Sequence, residues 1–316
     1  MSDKKIIAVV GATGAQGGGL VRAIVADKSG SFVARAITRN VNSDKAKALS
    51  ALGVEVVAGD ADDEKSMVKA FGGAYGAFCV TNFWEHVSPE REIAQATAMA
   101  KAAKAAGVQH AIWSTLEDSR KFIPLSDDRM PTLHGKWKVP HFDAKGEADQ
   151  AFRDAGVPTT FLLTSFYWDN LIYFGAGPTK GEDGTLGFVL PMGDRKLPGI
   201  AAADIGPAAL SIFKAGKEFI GKTVGIAGEH LTGAEMASQL STALGQEVRH
   251  QDVPPAVYRT FGFPGADDLG NMFQFNHDFA DEFRAARSLE FSRRLHPSIQ
   301  TFSQWLAQNK QKIPIG

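Results

Sequence analysis

The sequence is short of cysteine, of long apolar runs, of tyrosine and of any excess of one charge, and each shortage removes a class of protein. Cys79 is the single cysteine in 316 residues. No internal disulfide framework can form, and a reducing, cytoplasmic setting is expected. Cys79 lies inside Ala77-Phe78-Cys79-Val80, an apolar run that reads as a buried thiol and not as a nucleophile. No apolar stretch approaches membrane-spanning length. Met1-Ser2-Asp3-Lys4-Lys5 leads directly into a strand instead of a signal peptide. Basic residues number 34 against 35 acidic ones, a net charge of -1. That balance argues against a nucleic-acid surface or a polybasic membrane patch. The eight histidines show no ligand spacing with cysteine or carboxylate, so no metal site is expected.

What is present is a chain with 44% hydrophobic residues, enough to build a sizeable core in one large domain or two lobes. Its organising stretch is Ile6–Val10 followed by Gly11-Ala12-Thr13-Gly14-Ala15-Gln16-Gly17. A β-branched apolar run enters a turn with glycines three apart, and Leu20, Val21, Ile24 and Val25 then recur at helical spacing. This is a buried strand, a tight turn and a helix N-terminus, the context in which such a turn binds pyrophosphate. Free backbone N–H groups and the positive helix end supply the attraction. An ordinary strand–turn–helix is the alternative.

Strands at Phe32–Thr38, Val54–Ala58, Gly76–Val80, Val108–Ser114 and Pro158–Leu163 alternate with helices at Asp44–Leu52, around Met67–Phe71, Pro89–Ala106 and Phe142–Ala155. That alternation predicts an α/β fold, a Rossmann doubly wound parallel sheet, with ligands at the carboxyl ends of the strands. Glu117–Pro140, with Pro124, Pro131 and Pro140, is too long for a plain connection and reads as a lid or mobile loop. Beyond Ser165 the alternation fades. The reading is a dinucleotide-binding domain over residues 1–165 and a smaller α+β C-terminal lobe over 166–316, with some segments returning to the main sheet. Thr232, with Glu235 three residues on, predicts a capping box opening the helix through Leu244.

The ends of the strands carry the candidate site. The second ends in Thr38-Arg39-Asn40 with no acid, and an arginine there suits the 2′-phosphate of NADP(H). Asp60 and Ala61 end the third strand and would flank adenine. Thr81, Asn82 and Phe83 end the fourth and would line the nicotinamide ribose. Each of these is also open to a plain loop role. Ser114 ends the fifth, where a hydroxyl could polarise a carbonyl or simply close a turn.

Lys145 poses the catalytic question. Short-chain reductases set a tyrosine four residues before a lysine on one helix face, so that the lysine holds the ribose and lowers the tyrosine's pKa. None of the four tyrosines (Tyr75, Tyr167, Tyr173 and Tyr258) stands there. His141 occupies the position, open to a general-acid role or to a structural, cofactor-adjacent one.

Taken together, Gly11–Gly17, Thr38-Arg39-Asn40, Val80-Thr81-Asn82-Phe83-Trp84-Glu85, His141–Glu147, Phe152–Pro158, Asp204-Ile205-Gly206-Pro207, Gly262–Ala266 and Gln304-Trp305-Leu306 resemble the NmrA-like family, atypical short-chain dehydrogenases, and among them its animal members. The likeness covers nearly the whole chain. It implies NADP(H) binding through Gly11, Thr13, Gly14, Ala15, Gln16, Gly17, Arg39, Asn40, Asp60, Ala61, Thr81, Asn82, Phe83 and Lys145. It places Tyr167, Trp168, Asp169 and Asn170 over the nicotinamide end. Several members of that family are redox-responsive regulators acting through protein partners, and others are reductases of quinones and plant phenolics. The resemblance therefore implies either a sensor, monomer or homodimer, or an NADPH-dependent quinone or carbonyl reductase using Lys145 and His141. Glu117–Pro140 is longer here than in the animal members.

Overall fold

A computed structural model describes residues 4–315. In chain order the first elements are β1 (Lys5–Val9), α1 (Ala15–Ala26), β2 (Phe32–Thr38), α2 (Asp44–Ala51), β3 (Glu55–Ala58), α3 (Glu64–Phe71), β4 (Gly76–Cys79), α4 (Pro89–Ala105), β5 (His110–Thr115), α5 (Pro140–Asp154) and β6 (Thr159–Leu163). They are followed by β7 (Phe166–Tyr167), α6 (Asn170–Tyr173), β8 (Thr179–Lys180), β9 (Leu186–Val189), β10 (Leu197–Ile200), α7 (Ala202–Lys214), β11 (Thr223–Gly225), β12 (Glu229–Leu231), α8 (Gly233–Leu244) and β13 (Val248–Gln251). The rest of the chain is mainly helical, with Ala266–Asp278 its longest helix.

The chain divides into two compact units. The first runs through Asp118 and adds His141–Leu163 and Ala203–Val224. Its sheet has the order β11-β6-β5-β4-β1-β2-β3, and the pairs from β6 to β3 are parallel. This is the doubly wound Rossmann arrangement that the alternation predicts. The order reverses between β1 and β4, where the two halves diverge and leave a crevice at the strands' carboxyl ends. β4 and β5 are buried throughout, as strands covered on both faces must be. Burial of Cys79 at the end of β4 pushes its thiol pKa far up, which suits packing and not nucleophilic chemistry.

α1 is unusual in holding Gly17, Gly18 and Gly19 inside a helix, where glycine costs roughly 1 kcal/mol per residue against alanine. The reason is contact. A Cβ on Gly17 would lie 2.5 Å from the Gly11 carbonyl oxygen, and one on Gly19 would lie 3.3 Å from the Ala203 carbonyl.

The second unit comprises Ser119–Pro140, Thr164–Ala202 and the chain from Gly225 onward. It holds two three-stranded sheets, β12-β10-β7 and β13-β9-β8. Trp168, Phe302 and Trp305 form its aromatic core, with Trp168 5.3 Å from Phe302 and 6.4 Å from Trp305 between ring centroids. The predicted capping box is present: Glu235 N donates to Thr232 Oγ1 at 3.1 Å and Thr232 N to Glu235 Oε2 at 2.8 Å. Leu186 pairs with Lys180, so β8 and β9 make a short antiparallel hairpin within a glycine-rich stretch.

The segment 119–140 departs from the mobile loop the sequence suggests. Ile123, Met130, Trp137 and Val139 are buried. Lys138 Nζ donates to the Asp127 and Met130 carbonyls at 2.7 Å each. Asn271 Nδ2 donates to the Pro131 and Lys138 carbonyls at 2.9 and 2.6 Å. Buried side chains and satisfied backbone groups hold it in place, features that composition alone does not reveal.

Candidate functional site

The first unit brings most of the predicted residues to one edge of its sheet. Val10 N donates to the Phe78 carbonyl at 2.9 Å, which sets the glycine turn beside the end of β4. Gly11 has a φ of 62°, a conformation that a side chain disfavours. Gly14 N donates back to Gly11 O at 2.9 Å to close the turn. Gly14 caps α1 with no side-chain hydrogen bond, and no acidic residue lies in the helix's first turn. Neither a capping side chain nor a first-turn acid thus offsets the positive end of this helix, and an anion is the group that such an end attracts. Gln16 Oε1 accepts from Ser114 Oγ at 2.8 Å, so the end of β5 braces the turn.

The other strand ends vary in what they offer. Asn40 Oδ1 accepts from Asn42 N at 3.0 Å, and Asp60 Oδ1 from Asp62 N at 3.0 Å; both side chains shape their own turns. Ala61 packs against the core of the sheet. Arg39 and Asn82 are exposed, whereas the Phe83 ring is buried. Phe83 begins a one-turn 3-10 helix, Phe83–Glu85.

Lys145 meets the end of β4 through a buried polar cluster. Its Nζ donates to Thr81 Oγ1 at 2.7 Å and pairs with Glu92 Oε1 at 2.6 Å. Thr81 Oγ1 in turn donates to Glu92 Oε1 at 2.6 Å. Glu92 Oε2 faces His86 Nε2 at 3.5 Å. The backbone of α5 can come this close because Gly146, beside Lys145, has no side chain: a Cβ there would lie 2.5 Å from Asp118 N. Thr115 Oγ1, 2.7 Å from Asp149 Oδ1, and Trp113 Nε1, 3.0 Å from the same oxygen, fix the next turn of α5. His141 is 6% exposed. Its ring lies among Phe83, Trp84 and Phe142, at centroid distances of 5.9, 5.0 and 4.8 Å.

Tyr167, Trp168, Asp169 and Asn170 belong to the second unit. There Tyr167 Oη lies 3.2 Å from Thr164 Oγ1, Asp169 Oδ2 accepts from Ala202 N at 2.8 Å, and Asn170 begins α6. Among the described residues no cluster of three or more potential metal ligands occurs, and no helix is long and apolar enough to cross a membrane.

Two acids to which the sequence reading gives no role belong to this edge. Glu92 anchors Lys145, and Glu85 pairs with Arg39. The signal for Glu92 is its place in α4: it shares the buried face with Pro89, Ala96, Met99, Ala100 and Ala103. A carboxylate on an apolar stripe requires a buried partner.

The model of the NmrA-like family matches residues 3–306. An NAD(P)H azoreductase of Xenophilus azovorans is 33% identical over 248 residues, 78% of this chain and 76% of that protein. The NmrA-like family domain-containing oxidoreductase lnbB of Aspergillus flavus is 28% identical over 291 residues, 87% of this chain and 84% of that protein. Among solved structures, NmrA, a negative transcriptional regulator, in complex with NADP superposes with a TM-score of 0.77 at 25% identity, covering 97% of this chain and 95% of that one. These and further relatives come from fungi, a bacterium and Dictyostelium. They do not support the expected likeness to animal members.

Proposed function

The chain belongs to the NmrA-like family, and from that premise we propose that it binds NADP(H) at the carboxyl edge of its parallel sheet and acts as a redox-responsive regulator. The observation that carries the binding is the opening of α1, where a glycine turn meets an uncapped, acid-free helix start. Gly11, Thr13, Gly14, Ala15, Gln16 and Gly17 would hold the pyrophosphate. Arg39 would take the 2′-phosphate, with Asn40, Asp60 and Ala61 around the adenosine. Thr81, Asn82, Phe83 and Lys145 would hold the nicotinamide ribose. When bound, such a cofactor supplies or accepts a hydride.

The regulatory reading draws on His141. It stands where short-chain reductases carry tyrosine, yet its ring is enclosed by three aromatic neighbours. Lys145 is likewise engaged by Thr81 and Glu92. Binding without turnover would make the chain, monomer or homodimer in the cytoplasm, a sensor. Its protein partner must then prefer one cofactor state, because equal affinity for both would shift nothing.

The second reading is an NADPH-dependent reductase of a quinone or carbonyl. It is favoured by the relative named an azoreductase and by the Lys145 side chain, which at 12% exposed is not wholly buried. Here Lys145 orients the cofactor and His141 or a water supplies the proton.

Loss of the reduced-nicotinamide absorbance against quinones, aldehydes and ketones separates the two. Tight NADPH binding without turnover is the expected result. Turnover that disappears in Lys145→Ala while NADPH still binds would make the chain a reductase.

A further inference from the structure

The sequence places no acid at the end of β2, but the fold brings one there. Arg39 Nη2 donates to Glu85 Oε2 at 3.0 Å, while Nη1 contacts Oε1 of the same carboxylate. The two residues are 46 apart in sequence, and Glu85 arrives from the turn behind β4. This two-pronged pair occupies one edge of the guanidinium. The hydrogen bond from Arg39 holds the Glu85 carboxyl below the ordinary carboxylate range, so the acid is ionised at neutral pH. Asp60 and Asp62 add negative field at the same arginine. Asp62 has its own clamp, with Arg91 Nε at 3.2 Å and Gln95 Nε2 at 3.0 Å. That leaves Glu85 as the acid seated directly on Arg39.

We propose that Glu85 sets which nicotinamide dinucleotide this chain prefers, by holding the guanidinium edge that a 2′-phosphate requires. The inference rests on the reading of Arg39 as the 2′-phosphate contact. A phosphate monoester recognises arginine through the same paired N–H donors that a carboxylate uses. It must therefore displace Glu85 or share the guanidinium with it, and ionised neighbours of like sign repel it. A 2′-hydroxyl makes no such demand and can donate to a carboxylate, the role an acid plays in NAD-preferring sites. Glu85 thus narrows the preference for NADP(H) that Arg39 alone would give. It does so from the turn behind β4; the end of β2 has no acid of its own.

The test is calorimetric titration of the full chain, wild type and Glu85→Gln, with NADPH, NADH, 2′,5′-ADP and ADP. The last two isolate the adenosine end. The expected result is about tenfold tighter binding of NADPH and 2′,5′-ADP by Glu85→Gln, with NADH and ADP unchanged or weakened. In an Arg39→Ala background most of the gain with NADPH and 2′,5′-ADP should be lost, because the competition for the guanidinium goes with Arg39. Glu85→Ala repeats the comparison without an amide that could itself hydrogen-bond. A wild type that binds NADPH, with no gain in either variant, overturns the inference while leaving the cofactor reading in place. A gain that persists in full without Arg39 also overturns it, as a general charge effect. No binding of either dinucleotide by the wild type overturns the cofactor reading and this inference together.

Discussion

Lys145 and Glu92 form an ion pair of 2.6 Å in which the carboxylate has no exposed surface. The pair is closed by the Thr81 hydroxyl, which accepts from the amine and donates to the acid. On the far side His86 Nδ1 accepts from Ser88 N at 3.1 Å. The ring's proton is therefore on Nε2, facing Glu92 Oε2 across 3.5 Å. Removing one partner of such a pair leaves the other charge largely out of water, at a cost of up to about 3–5 kcal/mol. Glu92→Ala should lower the unfolding free energy by that amount in urea denaturation. Adding Lys145→Met should restore part of the loss, because the stranded charge goes with it. Strictly additive effects would mean that the two side chains are not coupled.

His110 predicts how stability responds to acid. It is fully buried at the start of β5, with Nε2 2.9 Å from Thr160 Oγ1. The Thr160 hydroxyl donates to the Phe219 carbonyl at 2.9 Å, so the imidazole must be the donor to Thr160. Its Nδ1 has no hydrogen-bond partner, and a proton added there would put a charge into the core. Burial lowers the His110 pKa from 6.5 to about 4. The folded state thus binds this proton less readily than the unfolded chain. The resulting stability is complete above pH 6.5 and is lost as the pH falls through about 4. It amounts to roughly 3 kcal/mol. Chemical denaturation at a series of pH values should show that acid slope in the wild type and a shallower one in His110→Leu. Parallel slopes would show that acid unfolding is driven by other groups.

The parts of this chain legible in sequence are those encoded locally. The strand before Gly11, the capping box at Thr232 and the helical spacing of His141 and Lys145 each depend on residues a few positions apart. Strand ends, and hence Arg39, Thr81 and Ser114, follow once the alternation is recognised. The partners of those residues do not, because they depend on strand order. Glu85 reaches Arg39 because only β1 lies between β2 and β4, and Glu92 reaches Lys145 because β4 pairs with β5. Segment 119–140 shows the opposite case. Its prolines and charges look like loop, yet Trp137 and Met130 are core residues, and no periodicity marks them. Short strands such as β7 and β12 are illegible for the same reason: two or three residues carry no pattern.

The glycine turn makes a graded prediction. A Cβ on Gly17 would meet Gly11 O at 2.5 Å, Gly11 C at 2.7 Å and Val10 O at 2.7 Å, all of them backbone. A Cβ on Gly14 would meet only Gly11 O, at 3.2 Å, a contact that relaxes with a small shift. Gly17→Ala should therefore lower the melting temperature and weaken NADPH binding together, since the turn and the start of α1 must move apart. Gly14→Ala should do so much less. Differential scanning fluorimetry with and without NADPH gives both quantities, and an inverted ranking would show that the turn's geometry is not what limits it.

Within the same unit, α1 and α7 touch backbone to backbone. A Cβ on Gly206 would lie 2.1 Å from Gly19 C, 2.2 Å from Leu20 N and 2.6 Å from Gly19 O. None of those atoms can rotate out of the way, so one whole helix must shift. From the other side, a Cβ on Gly19 would find Ala203 O at 3.3 Å and Gly206 N at 3.6 Å, contacts that a small adjustment removes. Overpacking of this kind costs about 1–3 kcal/mol. Gly206→Ala should reach the upper end of that range, and Gly19→Ala should stay near its lower end. In helical context alanine is otherwise the better residue by roughly 1 kcal/mol. That gain opposes the strain in both variants, so Gly19→Ala could come close to neutral while Gly206→Ala stays clearly destabilised. Urea denaturation of the two variants measures the difference directly. Wild-type stability in Gly206→Ala would mean that α7 has room to move away from α1, and the close crossing would not be what holds this helix pair together.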